Sequence, residues 1–319
     1  MSALLKEHME VLRMVQACDS TKRMGSALPD DILGQFTSAI ASDDIDTVHK
    51  LLDEHFPDRT EKFPGKYHVN ELYPCLSQAA RHDQVLVLQD ILLPYSHLRH
   101  TFEFVAKEAA DACSKNVLLF LLDNGWDINQ RRNQQSLTVL ESFLCQSTLD
   151  RDNDEHRGDM AYWLINRGAS LNARPDHIDT TGMSYAVKKA SVEFVRELLD
   201  HHGGDAQRGQ PLHNALCRWP QADIVAMLGV LLDRGAPLNQ VMYAGDERAS
   251  RNFRVIDLGT PLHDAAQKGN IEAVEYLLAR GADTSIPSSR TKTTAWEWAD
   301  KAGHREIAAI IQSRNRQKL

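Results

Sequence analysis

Gly259-Thr260-Pro261-Leu262-His263-Asp264-Ala265-Ala266-Gln267-Lys268-Gly269-Asn270 runs into Ile271 through Leu278 and closes on Arg280-Gly281-Ala282-Asp283. It is one complete unit of a repeat. Thr260 can cap a first helix, and Pro261 suits its first turn, where a missing N–H costs nothing. Leu262, Ala265 and Ala266 form that helix's inward face, the alanines leaving room for a neighbour. Gly269 breaks the helix with a positive φ. Ile271, Val274, Leu277 and Leu278 recur at helical spacing as the buried stripe of a second helix, which Gly281 ends.

The same signature recurs on both sides. Downstream by 34 residues lie Thr294-Ala295, Ala299, Gly303-His304, Ile307, Ile310 and Ile311. Upstream, Pro211-Leu212-His213-Asn214-Ala215 leads to Leu228, Leu231, Leu232 and Gly235-Ala236. Before that come Thr181-Gly182-Met183 with Val195, Leu198 and Leu199, then Thr138-Val139-Leu140 with Trp163-Leu164-Ile165 and Gly168-Ala169. Ala109-Ala110 with Leu118, Leu121 and Leu122, Ala79-Ala80 with Val87, Ile91 and Leu92, and Ala39-Ile40 with Val48, Leu51 and Leu52 complete the series. Tandem units of this length predict stacked helix pairs sharing one elongated core.

The pattern resembles the ankyrin repeat family. The TPLHxAA core and the LLxxGA tail stand together at 259–285, and the resemblance extends over roughly 33–313 as seven to eight units, several degenerate and two carrying insertions. It implies an all-α ankyrin-repeat solenoid of helix–turn–helix units with hairpin-like loops. Residues 33–319 are expected to form the array, with its clearest copies at 209–239, 259–285 and 293–313. Residues 1–32 are expected to form a capping helix, built on Leu4, Leu5, Val11, Leu12 and Val15, and a linker. The insertion at Leu149–Gly158 is charged and predicts a solvated loop between two helices. The insertion at 240–258 lengthens a loop finger. Trp219-Pro220 stands where an inter-helix Gly belongs.

Composition sets bounds on function. The chain of 319 residues carries a formal charge of −8, with 42% hydrophobic and 25% charged residues. The pI near 5.9 argues against a nucleic-acid partner. A mean hydropathy of −0.41 and the lack of a long apolar run argue against a membrane span. Five scattered cysteines without CxxC spacing suggest free thiols, no metal site, and a cytoplasmic or nuclear location. No dinucleotide, P-loop, nucleophile-elbow or zincin motif is present, and no cofactor is implied.

In the family, first helices and loop tips line a concave face that commonly grips another protein. Carried onto this sequence, that face takes in Arg81, His82, Tyr185, Lys188, Lys189, Asn214, Arg218, Trp219, Gln267 and Lys268. Its basic middle suits an acidic or C-terminal peptide segment, and Tyr and Arg are favoured binding residues. His213 and His263 share one repeat position and resemble structural histidines that bond the loop backbone. Cys145 and Cys217 read as small packing residues. Trp126 is a candidate anchor, whereas Trp296 and Trp298 read as packing for the last unit. The alternative is an enzyme, since degenerate, insertion-bearing ankyrin proteins resemble fungal ones near small-molecule biosynthesis genes. Its groove would close into a pocket with His82, Tyr185, Lys188 and Asp264 as acid–base candidates.

Overall fold

The computed structural model describes residues 28–58, 67–94, 96–131, 133, 136–146, 154–175, 178–218 and 223–317. Among them every regular element is a helix. The chain divides into two compact units, 1–101 and 102–319. The expected segment 1–27, the first part of the 149–158 insertion, and Trp219-Pro220 lie outside the described residues.

The first unit holds two helix pairs, α1 (Asp30–Ala41) with α2 (Ile45–His55) and α3 (Tyr73–Arg81) with α4 (Val85–Leu92). α1 packs on α3 and α2 on α4, so the pairs stack in chain order. Short 3-10 turns at Val69–Leu72 and Ser96–Thr101 flank the second pair.

The second unit continues the scheme. Its pairs are α5 (Phe102–Asp111) with α6 (Lys115–Asp123), α7 (Val139–Gln146) with α8 (Asp154–Asn166), and α9 (Gly182–Lys189) with α10 (Val192–His201). Then come α11 (Pro211–Ala215) with α12 (Ile224–Leu232), α14 (Pro261–Gln267) with α15 (Ile271–Ala279), and α16 (Ala295–Lys301) with α17 (Arg305–Gln317). An extra helix, α13 (Glu247–Asn252), lies inside the 240–258 insertion. Each first helix packs on the next, from α5 on α7 through to α14 on α16. Leu262, Ala265 and Ala266 are buried in α14, and Val274 and Leu277 in α15, as their spacing predicts.

One backbone device repeats in both units. The amide three residues past the end of a first helix bonds an alanine carbonyl inside it. The pairs are Asp44 to Ala39 at 2.9 Å, Gln84 to Ala79 at 2.9 Å, Ser114 to Ala109 at 2.8 Å, Asn270 to Ala265 at 3.1 Å and His304 to Ala299 at 2.8 Å. Closing the turn needs a left-handed residue just before that amide. Asp43, Asp83 and Cys113 adopt φ of 58°, 55° and 59°, where Gly269 and Gly303 stand at 72° and 88° in the later copies. A second ladder runs through the loops. Asn129 donates to the Gly168 carbonyl and accepts from the Ser170 amide; Asn172 does the same to Gly203 and Asp205.

The insertion at 149–158 differs from the loop expected of it, because α8 begins at Asp154 and draws its second half into helix. The expectation rested on charge alone. Nor did the sequence show α13, whose N-cap Asp246 accepts from the Ala249 amide at 2.9 Å.

Gly269 and Gly303 share a left-handed backbone but not their surroundings. A Cβ on Gly269 would lie 2.5 Å from the His304 ring, whereas one on Gly303 would meet nothing within 4 Å. Gly303→Ala is therefore expected to cost about 1 kcal/mol of unfolding free energy, the left-handed penalty alone, and Gly269→Ala about 1–2 kcal/mol more. Urea titration of the two variants measures the difference.

Candidate functional site

Four first helices open with a threonine cap answered by the third helical residue. Glu141, Ser184, His263 and Glu297 reply to Thr138, Thr181, Thr260 and Thr294 respectively. The His263 version sets the ring's protonation. Nδ1 accepts the Thr260 amide at 3.1 Å, so Nε2 carries the proton and donates to the Thr293 carbonyl at 3.1 Å. The ring also meets Trp298 edge-on at 5.0 Å, which seats that indole in the last pair. Burial pushes the His263 pKa below its ordinary value, with the Thr293 carbonyl and nearby carboxylates opposing.

α11 breaks the pattern. Its N-cap is Gln210 at φ 56°, which bonds the Asp179 carboxylate through Nε2 at 2.6 Å and accepts the Tyr243 amide at 3.2 Å. Without a threonine to answer, His213 does not take the backbone role expected of it. Its Nδ1 instead donates to Asp264 Oδ2 of the next pair at 2.8 Å. Its Nε2 is buried with no hydrogen-bond partner. The two histidines at one repeat position therefore use Nδ1 in opposite ways, as an acceptor in His263 and a donor in His213.

The same two helices meet once more, one turn on. Lys268 Nζ lies 2.9 Å from Cys217 Sγ and 3.1 Å from the Leu216 carbonyl. Cys217 follows His213 by four residues, just past α11, and Lys268 follows Asp264 by four, capping α14. Cys217 is exposed, not packed inside as its residue type suggested. Arg218 goes the other way: 8% exposed, it donates through Nη1 to the Val187 carbonyl near the end of α9, with Asp223 at 3.8 Å. Asn214 turns back on its own helix start, donating to the Gly209 and Gln210 carbonyls at 2.8 and 2.9 Å.

Tyr185 is half-buried beside a buried ion pair, Arg131 Nη2 to Glu141 Oε1 at 2.5 Å. Burial pushes its phenol up to about 12, with Glu141 and Cys145 acting in the same direction and Arg131 against it. Tyr185 thus holds its proton at neutral pH. Lys188, Lys189 and Gln267 are exposed at the ends of α9 and α14. Arg81 and His82 are exposed at the end of α3 in the first unit, His82 Nε2 lying 3.0 Å from Gln78 Nε2. Trp126 is buried, and Trp219 lies outside the described residues.

Asp264 orients a histidine, Lys188 faces solvent, Tyr185 sits by Glu141, and His82 belongs to the first unit. A depression lined by Leu199, Asp200, Gly204, Asp205, Ala206 and Arg234 contains none of them. Nor does a smaller one beside Gln210, His213 and Pro237. Among the described residues no group of three or more His, Cys, Asp or Glu side chains could hold a metal ion. No helix among them is long and apolar enough to cross a membrane.

Stacked helix pairs bound turn to turn define a helical repeat protein. Residues 257–289 match the family model of the ankyrin repeat, so the chain carries an ankyrin repeat there. That repeat is, in general, a protein-interaction module. A comparison with curated proteins finds no match.

His263 supplies a pH test. The unfolded ring takes a proton near its ordinary 6.5, while the folded ring resists it, so the unfolded state binds more protons below that pH. Stability is expected to fall as pH drops from 7 towards 5, and His263→Gln to flatten that stretch of the curve. Urea midpoints at pH 7, 6 and 5 for both proteins measure it; the depressed carboxylates Asp257 and Glu297 act at lower pH.

Proposed function

We propose that the protein binds a partner protein through the ends of its first helices, and that the bound segment is acidic. The observation that supports this most is a division of labour among the polar residues there. Asn214, Arg218 and Asp264 are engaged within the stack, whereas Lys188, Lys189 and Gln267 leave their side chains to solvent on α9 and α14, which both pack on α11. Lys268 is exposed too, but its ammonium is engaged with the Leu216 carbonyl and the Cys217 thiol. Half-buried Tyr185 supplies a rigid aromatic surface next to the two lysines, the type of group that carries binding energy when a partner covers it. Arg81 and His82 offer the equivalent helix end in the first unit.

An acidic segment suits this surface because the cations sit at helix C-termini. They are exposed there, and a cation left to solvent is open to a carboxylate of the partner. The enzyme alternative has no comparable support: Asp264 is bonded to His213, Lys188 faces solvent and Tyr185 sits by Glu141.

Lys188→Glu with Lys189→Glu is expected to reduce capture of a protein partner from native extract at least about fivefold, by removing and inverting charge at the contact. Lys115→Glu, an exposed change on a second helix, is the control and should capture normally. Equal recovery of every captured protein by all three would refute the placement. Arg218→Ala is expected to act on stability instead. Freeing the Val187 carbonyl and an engaged buried position should cost about 1–3 kcal/mol in a urea titration.

A further inference from the structure

The 240–258 insertion is built as a rigid finger whose charges are sorted by direction. Tyr243 and Phe253 stack at 4.8 Å with an interplanar angle of 16°. Ser250 Oγ donates to the Tyr243 carbonyl at 2.8 Å, and the Met242 amide to the Gly259 carbonyl at 2.9 Å. At the base, Arg174 Nη1 lies 2.6 Å from Asp246 Oδ2. The following loop is joined on: the Ser289 amide bonds the Leu258 carbonyl at 2.7 Å, and Arg290 Nη1 donates to the Val255 carbonyl at 3.1 Å.

Two of the three carboxylates in this insertion are turned to internal work. Asp246 caps α13 and pairs with Arg174; the Ala249 amide and that guanidinium hold its carboxyl below the ordinary range. Asp257 gathers the neighbouring loop. Burial pushes its carboxyl up, but hydrogen bonds from the Thr291 hydroxyl, the Arg290 and Thr291 amides and the Ser288 hydroxyl outweigh that and hold it down. Only Glu247 remains outward, 3.1 Å from Arg251. Against it stand five exposed cations: Arg248, Arg251 and Arg254 on the finger, and Arg290 and Lys292 on the joined loop. This local excess of positive charge sits on a chain of net charge −8. In its midst Val255 and Ile256 are adjacent and 69% and 51% exposed.

We propose that this finger is a second docking surface, for an acidic protein segment that carries apolar side chains. It is separate from the helix-end surface proposed above and does not depend on it. Basic side chains around an exposed apolar pair match carboxylates flanking an apolar residue, and the finger's internal bonds mean that little order must be gained on binding. A nucleic acid fits less well. It offers phosphates in quantity and no aliphatic group to cover Val255 and Ile256, and the chain's overall negative charge opposes a long polyanion.

The test is fluorescence anisotropy with the full chain and three short labelled probes: a peptide of glutamates flanking a central Leu-Phe pair, its Ser-Ser counterpart, and a mixed-sequence single-stranded DNA. The Leu-Phe peptide is expected to bind saturably and about tenfold more tightly than the Ser-Ser peptide, with affinity falling as salt rises. Arg251→Glu with Arg254→Glu, and separately Val255→Ser with Ile256→Ser, should each weaken it about tenfold while leaving the thermal melt unchanged, as all four side chains face solvent. Failure of the Leu-Phe peptide to bind overturns the proposal. So does equal binding of both peptides, DNA binding insensitive to Val255→Ser with Ile256→Ser, or loss of peptide binding only in Lys188→Glu with Lys189→Glu. That last result would leave the helix-end reading standing, while intact finger binding in the lysine variant would separate the two surfaces.

Discussion

A single backbone hydrogen bond sets the geometry of the helix pairs. The amide after the left-handed turn residue reaches back to an alanine carbonyl within the first helix, in copies as different as those at Ala39 and Ala265. The bond reverses the chain within three residues and fixes where the second helix starts. At Ala39, Ala109 and Ala265 the next first helix packs on the one that holds the acceptor, where a larger side chain would hold the helices apart. The left-handed position is more permissive. Glycine costs least there, but Asp43, Asp83 and Cys113 adopt the same φ at a penalty of about 1 kcal/mol each. Early copies can thus lose the glycine and keep the turn.

The residue that opens each first helix decides how its neighbours are used. Where threonine caps, the third residue is committed to replying, and at His263 this fixes the tautomer and ties the ring to the Thr293 carbonyl. Where Gln210 replaces threonine, His213 is released to bond Asp264 across the repeat boundary. Lys268 and Arg218 make related crossings, each giving hydrogens to carbonyls at the end of the preceding first helix. Those carbonyls have no partner within their own helix and carry its negative pole, so a cation from the next pair is well matched to them. Positions that vary between copies are thereby divided between holding the stack and facing solvent.

That division explains how much could be read in advance. The apolar spacing and the Thr-Pro and Gly signals place the helices of the copies from Thr138 onward, because those signals act within one helix or turn. The early copies were legible from Ala39-Ile40 and Ala79-Ala80, again through local pattern. The site was less legible. Arg218 and Lys268 are both basic residues near the end of a first helix, yet one is buried and the other lies beside an exposed thiol. The difference arises from contacts between pairs, which the spacing within a unit does not encode. His213 and His263 share a repeat position but part company because of residue 210, whose left-handed backbone no motif announces.

The finger shows the same logic in a segment with no repeat pattern to guide it. By composition alone its acidic and basic residues balance, and a solvated loop would be the natural reading. What changes the reading is direction. Asp246 and Asp257 are each drawn inward by several donors, and a carboxylate accepting that many hydrogen bonds is costly to turn outward again. The basic residues stay exposed even where they are bonded: Arg290 donates to the Val255 carbonyl, Lys292 to the Ser289 carbonyl, and Arg251 pairs with Glu247, an exposed pair of a kind that is worth little. A near-neutral sequence thus yields a basic surface. The joined loop at 289–292 enlarges that surface because the bonds that fix it, at Leu258 and Asp257, are also those that turn the finger's second carboxylate inward. The rigidity of the finger and the sign of its outer face therefore have one cause.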